Sequence, residues 1–154
     1  MLLSEIVGYH GGPQIKNNTK LKVPLFVALS KKHAKWYALN RGEDDPTITK
    51  LDIKPGRILD AIDGDVSMLD VARAARIEFQ ERPYFYCARN EQYGGDGGNI
   101  SDLVYIPEFQ KQLASMGYDS IKLLDALEND QISVMVLFNP SQFSVMQVDQ
   151  LKNK

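Results

Sequence analysis

The sequence predicts an α+β fold. Candidate strands stand at both ends of the chain with short helices between them. The connections between strands are too uneven for a regularly repeating βαβ unit. The first strand is Ile6–His10, and Gly11, Gly12 and Pro13 are expected to end it, since two glycines and a proline favour a turn over a continued ladder. Ile15–Lys22 is polar and basic and reads as a loop. Val23–Leu29, "VPLFVAL", is almost wholly apolar, the pattern of a strand buried on both faces, with Pro24 placing its start at an edge or a bulge.

Ser30 suits a helix N-cap, and the helix it opens, Lys31–Leu39, puts Ala34, Tyr37 and Ala38 on one face. After a charged turn at Arg41–Pro46, Thr47–Ile53 alternates as a strand does, with Thr49, Leu51 and Ile53 on one side. "KPGR" turns the chain into a short apolar segment, Ile58–Ala61. Ser67 can cap a helix reaching about Arg82, its apolar face made by Met68, Val71, Ala72, Ala75 and Phe79. Pro83–Ile106 begins aromatic and becomes glycine-rich, as a long functional loop would. Pro107 opens a third helix with Phe109, Leu113 and Met116 on one face and Gly117 as its C-terminal cap. Ser120–Leu124 and Ile132–Phe138 read as strands joined by a polar, mostly acidic loop, Asp125–Gln131, and Gln142–Val148 as a last strand.

A length of 154 residues, 44% hydrophobic and 25% charged, fits one soluble domain, residues 1–154, with one sizeable core. A formal net charge of −2 disfavours broad electrostatic binding to nucleic acid or to a membrane. Cys87 is the only cysteine, so no internal disulfide forms, which suits a reducing compartment. There is no secretory pattern at the N-terminus and no apolar run near the ~20 residues that span a bilayer. A cytoplasmic protein is the expectation.

Several common site patterns fail. No P-loop is present, and "GGDGG", Gly94–Gly98, has no clear strand before it and no lysine after it. The acids of Asp60–Asp70 lack EF-hand spacing. Two histidines and one cysteine do not make a structural zinc site, so no metal is expected. Three regions in order remain: "GYHGG", "LFVALSKKHAKWYAL" and "GYDSIKLLDALENDQISVMVLFNPSQ".

With these regions the chain resembles the ADP-ribosyltransferase family, in the branch of poly(ADP-ribose) polymerases, diphtheria-type toxins and small virus-encoded transferases. The matching pieces are "YHGG", "LFVALS…WYA", "MGYDSI" and "VLFNPSQF", in that order over most of the chain. The resemblance implies two small antiparallel sheets forming a cleft for NAD, the substrate. It implies that the Gly11 backbone pairs with the carboxamide of NAD, glycine allowing close approach. It further implies that His10 donates to a ribose hydroxyl, Tyr37 stacks on the nicotinamide, Ser30 reaches the carboxamide and Phe26 lies near the ribose. Each has an ordinary structural alternative: a buried histidine, a core tyrosine, a plain N-cap, a core phenylalanine.

Breaking the bond between ribose and nicotinamide develops positive charge on the ribose, which a fixed carboxylate stabilises. Counted back from "FNP", the position where the family carries this acid falls on or near Val134, which cannot serve. The acids at hand are Asp125, Glu128 and Asp130. Asp125 is the first choice as catalytic residue and Asp130 the second; the alternative is a solvated acidic loop. The resemblance thus implies a mono-ADP-ribosyltransferase with a macromolecular target, a protein rather than nucleic acid given the acidic balance. Small effectors against host or defence machinery, anti-CRISPR transferases among them, have this build and work in the host cytosol. Pro83–Ile106 is the candidate for target recognition. A catalytically inactive NAD-fold binding module and an NAD glycohydrolase are the alternatives.

Overall fold

The computed structural model describes residues 6–13, 21–40, 46–77, 100–127 and 130–151. The expected loops at 15–20 and 83–99, the charged turn at 41–45, Phe79, Cys87 and Glu128 lie outside the described residues. The α+β class holds. Seven strands, β1 (Ile6–Pro13), β2 (Leu25–Ala28), β3 (Pro46–Ile53), β4 (Ile58–Asp60), β5 (Ser120–Leu127), β6 (Asp130–Leu137) and β7 (Phe143–Gln150), form a mixed sheet ordered β4-β5-β6-β2-β1-β3-β7. Three α-helices accompany them among the described residues: α1 (Lys31–Asn40), α2 (Met68–Ala74) and α3 (Pro107–Ser115). Two separate antiparallel sheets are therefore not what forms. The strands join one order, and β4 pairs with β5 in parallel.

The chain divides into two compact units, residues 1–56 with 134–154, and residues 57–133. In the first, β1 pairs antiparallel with β3 along its whole length, from Ile6 opposite Ile53 to Pro13 opposite Pro46. The strand does not stop at His10. Gly11 and Gly12 stay in the ladder because β3 offers Ile48 and Thr47 as partners, and Pro13 closes it at the end. β2 lies opposite Val134–Leu137 of β6, and β3 carries β7 on its far side with a register shift at Lys50/Leu51. Leu25, Val27, Ala28, Ile48, Leu51, Ile53 and Val134–Leu137 are buried, as the apolar runs required. α1 adds Ala34 and Ala38 to this core.

One polar side chain is built into it. Gln142 Oε1 accepts from the backbone N–H of Phe138 and of Asn139, each at 2.9 Å, and its Nε2 donates to the Pro55 carbonyl at 2.9 Å. Asn139 caps the short turn Pro140–Gln142 by accepting from Ser141 N–H. "NPSQ" thus clasps the turn after β3 to the turn before β7.

In the second unit, Ser67 caps α2 in a capping box with Asp70: Asp70 N–H donates to the Ser67 hydroxyl and Ser67 N–H to the Asp70 carboxylate. Met68, Val71 and Ala72 are its buried face. The helix ends at Ala74 instead of reaching Arg82. Arg76 turns left-handed at φ 60°, and the N–H groups of Arg76 and Ile77 bond back to Arg73 and Ala72. α3 begins with Pro107 at N1, buries Phe109 and Leu113, and ends the same way on Gly117 at φ 88°. Here Gly117 and Tyr118 N–H bond back to Ala114 and Leu113. Asp119 Oδ2 accepts from Arg57 N–H, and the Arg57 guanidinium lies 4.9 Å from the centre of the Tyr118 ring.

The expected loop at Asp125–Gln131 is mostly strand: β5 runs to Leu127 and β6 starts at Asp130. Pairing between neighbouring strands overrides the weak strand preference of Asp and Asn.

Candidate functional site

Five of the residues singled out in the sequence, His10, Gly11, Phe26, Ser30 and Tyr37, belong to the first unit. His10 and Gly11 stand on β1 and Phe26 on β2. Among the described residues these strands register at one pair, Tyr9 opposite Ala28, whereas β1 and β3 pair at eight. His10 is the next residue along β1, and its side chain makes the link that follows. His10 Nδ1 lies 3.0 Å from the Phe26 carbonyl oxygen. A carbonyl only accepts, so this nitrogen carries a proton and donates it. The neutral ring then has its lone pair at Nε2.

The two glycines beside His10 serve different ends. A Cβ on Gly11 would fall 2.0 Å from the Ala34 carbonyl oxygen and 2.9 Å from Ala38 N. Glycine is required there because the backbone of α1 crosses β1 at that point, on its Ala34–Ala38 face. A Cβ on Gly12 would instead lie 3.1 Å from His10 Nε2. A side chain at Gly12 would press on the edge of the imidazole.

Ser30 precedes α1, and its carbonyl accepts the first helical bond, from Ala34 N–H at 3.2 Å. It stands where an N-cap does. Tyr37, half-buried, sits between Ala34 and Ala38 in sequence, and its ring meets Trp36 edge-on at 5.6 Å between centres. Phe26 is half-buried on β2, opposite Val136.

Asp125 lies within β5 and Asp130 at the start of β6, both in the second unit; their side chains are outside the described residues. Val134 pairs with Ala28 and is 1% exposed, so the position where the family's acid is expected is filled by core. Sequence reading missed the Phe26 carbonyl as the partner of His10. A backbone acceptor sixteen residues away leaves no local signal, although an imidazole beside two glycines hinted at a ring needing room. Among the described residues no group of three His, Cys, Asp or Glu is placed to hold a metal.

Outside the site, two carboxylates are held below the ordinary value of 3.8: Asp60 by accepting from the N–H groups of Asp63 and Ile62, and Asp70 by accepting from Ser67. Both belong to turns and caps rather than to a reacting centre. Comparison with protein-family models, with curated proteins and with solved structures found no match.

Proposed function

We propose that this chain is a small mono-ADP-ribosyltransferase that cleaves NAD and transfers ADP-ribose to a protein target. The observation that carries the reading is the junction of β1 and β2. There the ladder gives way after Tyr9 opposite Ala28, and a fixed imidazole and the small Gly12 follow on β1. In this reading the nicotinamide riboside end of NAD meets the β1 backbone there, and Tyr37 and Ser30 approach from the α1 side. Gly11 keeps its proposed part in carboxamide pairing through its backbone, but the absence of its side chain is already required by α1.

The tautomer changes one expected contact. With the Nδ1 proton given to Phe26, neutral His10 meets a ribose hydroxyl as acceptor at Nε2, and the hydroxyl donates. Electron density drawn toward the ribose oxygen then helps the ring carry the charge that develops as the C1′–nitrogen bond breaks. The part of the catalytic carboxylate stays with Asp125, or next Asp130, as the resemblance assigns it.

Val134 in the core favours one second reading, an NAD-binding module without turnover. Nicotinamide release from NAD by the wild type and Asp125→Asn, with and without host-cell lysate, decides between them. Release that needs lysate and is lost in the variant supports transfer. Release without lysate makes the protein an NAD glycohydrolase, and NAD binding without release makes it a binding module.

A further inference from the structure

The net charge of −2 averages two opposite fields. Of the 18 basic residues, seven lie between Glu5 and Glu43, a stretch with no acid at all. The other eleven share the rest of the chain with all 20 acids. Within the described part of that stretch the charge is concentrated on α1. Lys31, Lys32 and Lys35 are exposed, and the first turn of the helix holds no acid. Residues three and four apart on a helix are neighbours, so these ammonium groups repel one another. They also stand at the positive end of the helix dipole, where cations are disfavoured. Lys31 is partly answered by Asp149, whose Oδ2 is 3.6 Å from its Nζ, with both side chains well exposed. The fold gains nothing from Lys32 and Lys35 at these positions. An anionic partner would.

We propose that the lysine face of α1 docks an acidic segment of the protein target, an inference that rests on the transferase reading for the word target. Two features favour a short acidic peptide over nucleic acid. The face is small: Lys31 to Lys35 spans about 6 Å of helix axis. All 20 acids and only eleven bases lie outside that stretch, a formal excess of nine negative charges that disfavours a long polyanion. The positively charged groups are lysines, point charges that suit separate carboxylates and impose no bidentate geometry.

The test is fluorescence anisotropy of a labelled octa-glutamate peptide and of a single-stranded oligonucleotide of equal charge. Each is titrated with the wild type, Lys32→Glu/Lys35→Glu and Lys32→Gln/Lys35→Gln. Lys31 is left in place because Asp149 lies beside it. The expected result is binding of the peptide that weakens with salt, falls about tenfold or more on charge reversal, and falls less on neutralisation. Oligonucleotide binding as tight as or tighter than the peptide's overturns the proposal, as does peptide binding that the reversal leaves unchanged, or none at low salt. Nicotinamide release is measured in parallel. If NAD is never cleaved while the peptide binds through these lysines, the transferase reading fails and the docking face stands.

Discussion

Gly11→Ala puts a methyl group into the backbone of a helix. The new Cβ would lie 2.0 Å from the Ala34 carbonyl oxygen, 2.9 Å from the Ala34 carbonyl carbon and 2.9 Å from Ala38 N. Carbon–oxygen contacts settle on the order of 3.3 Å, so β1 and α1 must part by about 1 Å. All three neighbours are helix backbone, so no rotamer change relieves the clash. Parting the elements also loosens Ala34 and Ala38, which are 0% and 1% exposed. Overpacking costs about 1–3 kcal/mol, and a rigid neighbour places this case near 3. The unfolded chain loses freedom when Gly becomes Ala, which returns about 0.4–1 kcal/mol. A net loss of about 2 kcal/mol lowers the melting temperature by about 4–8 °C in a chain of this size. Thermal unfolding followed by circular dichroism reads it directly. Gly12→Ala is the control. Among the described residues the added carbon there meets only the His10 ring. It should melt closer to the wild type than Gly11→Ala and lose NAD turnover more than stability. A Gly11→Ala protein that melts within about 1 °C of the wild type would refute the helix-crossing account.

Four further outcomes are expected. Gln142→Ala leaves two backbone N–H groups and the Pro55 carbonyl without their partner and should cost about 3 kcal/mol in urea unfolding. Arg76→Gly should stabilise by about 0.5–1 kcal/mol in the same assay, because an L side chain at φ 60° costs about 1–2 kcal/mol and glycine returns only part of that to the unfolded chain. Ser120→Ala should be neutral or stabilising by about 1 kcal/mol, since the Ser120 hydroxyl is buried and has no hydrogen-bond partner among the described residues. Asp70, whose folded pKa is depressed first by the Ser67 N–H, contributes to α2 above the unfolded value of 3.8 and loses that contribution as pH falls through its lower folded value. Acid unfolding of Asp70→Asn against the wild type should therefore converge at low pH and differ above pH 3.8.

What could be read from the sequence was what depends on neighbours in the chain. Ser67 at the head of α2, Pro107 at the head of α3 and Gly117 at its end are local capping signals, and each sits where it was expected. The apolar run at Leu25–Ala28 and the one at Val134–Leu137 are adjacent central strands, buried as their composition required. What failed depended on partners far along the chain. β1 continues through two glycines because β3, more than thirty residues later, pairs with it to the end. β5 reaches past Asp125 because β6 lies beside it. The parallel pairing of Ile58 with Ser120 joins segments some sixty residues apart and has no local signature. The left-handed turn at Arg76 was hidden for the opposite reason: its bonding pattern matches that at Gly117, but arginine gives no sign of it.

The same distinction applies to the candidate site. In "YHGG" the resemblance gives His10 and Gly11 to a ligand and says nothing of Gly12. The fold separates them. Gly11 is accounted for by α1, whose backbone fills the place of its side chain, so its identity says nothing about what binds. His10 and Gly12 are different. The bond from Nδ1 to Phe26 fixes which nitrogen holds the proton, and it spans the strands just where their ladder gives way. A hydrogen-bonded ring of this kind could serve only to hold β1 to β2, and then Gly12→Ala would cost nothing in activity, because the Phe26 bond lies on the other nitrogen. If Nε2 meets the ribose, a methyl group 3.1 Å from it must weaken NAD binding while the strand junction survives. Gly12 is thus the position where the structural and the ligand-binding accounts of the motif give different answers, and the stability of the same variant shows that the answer comes from the site.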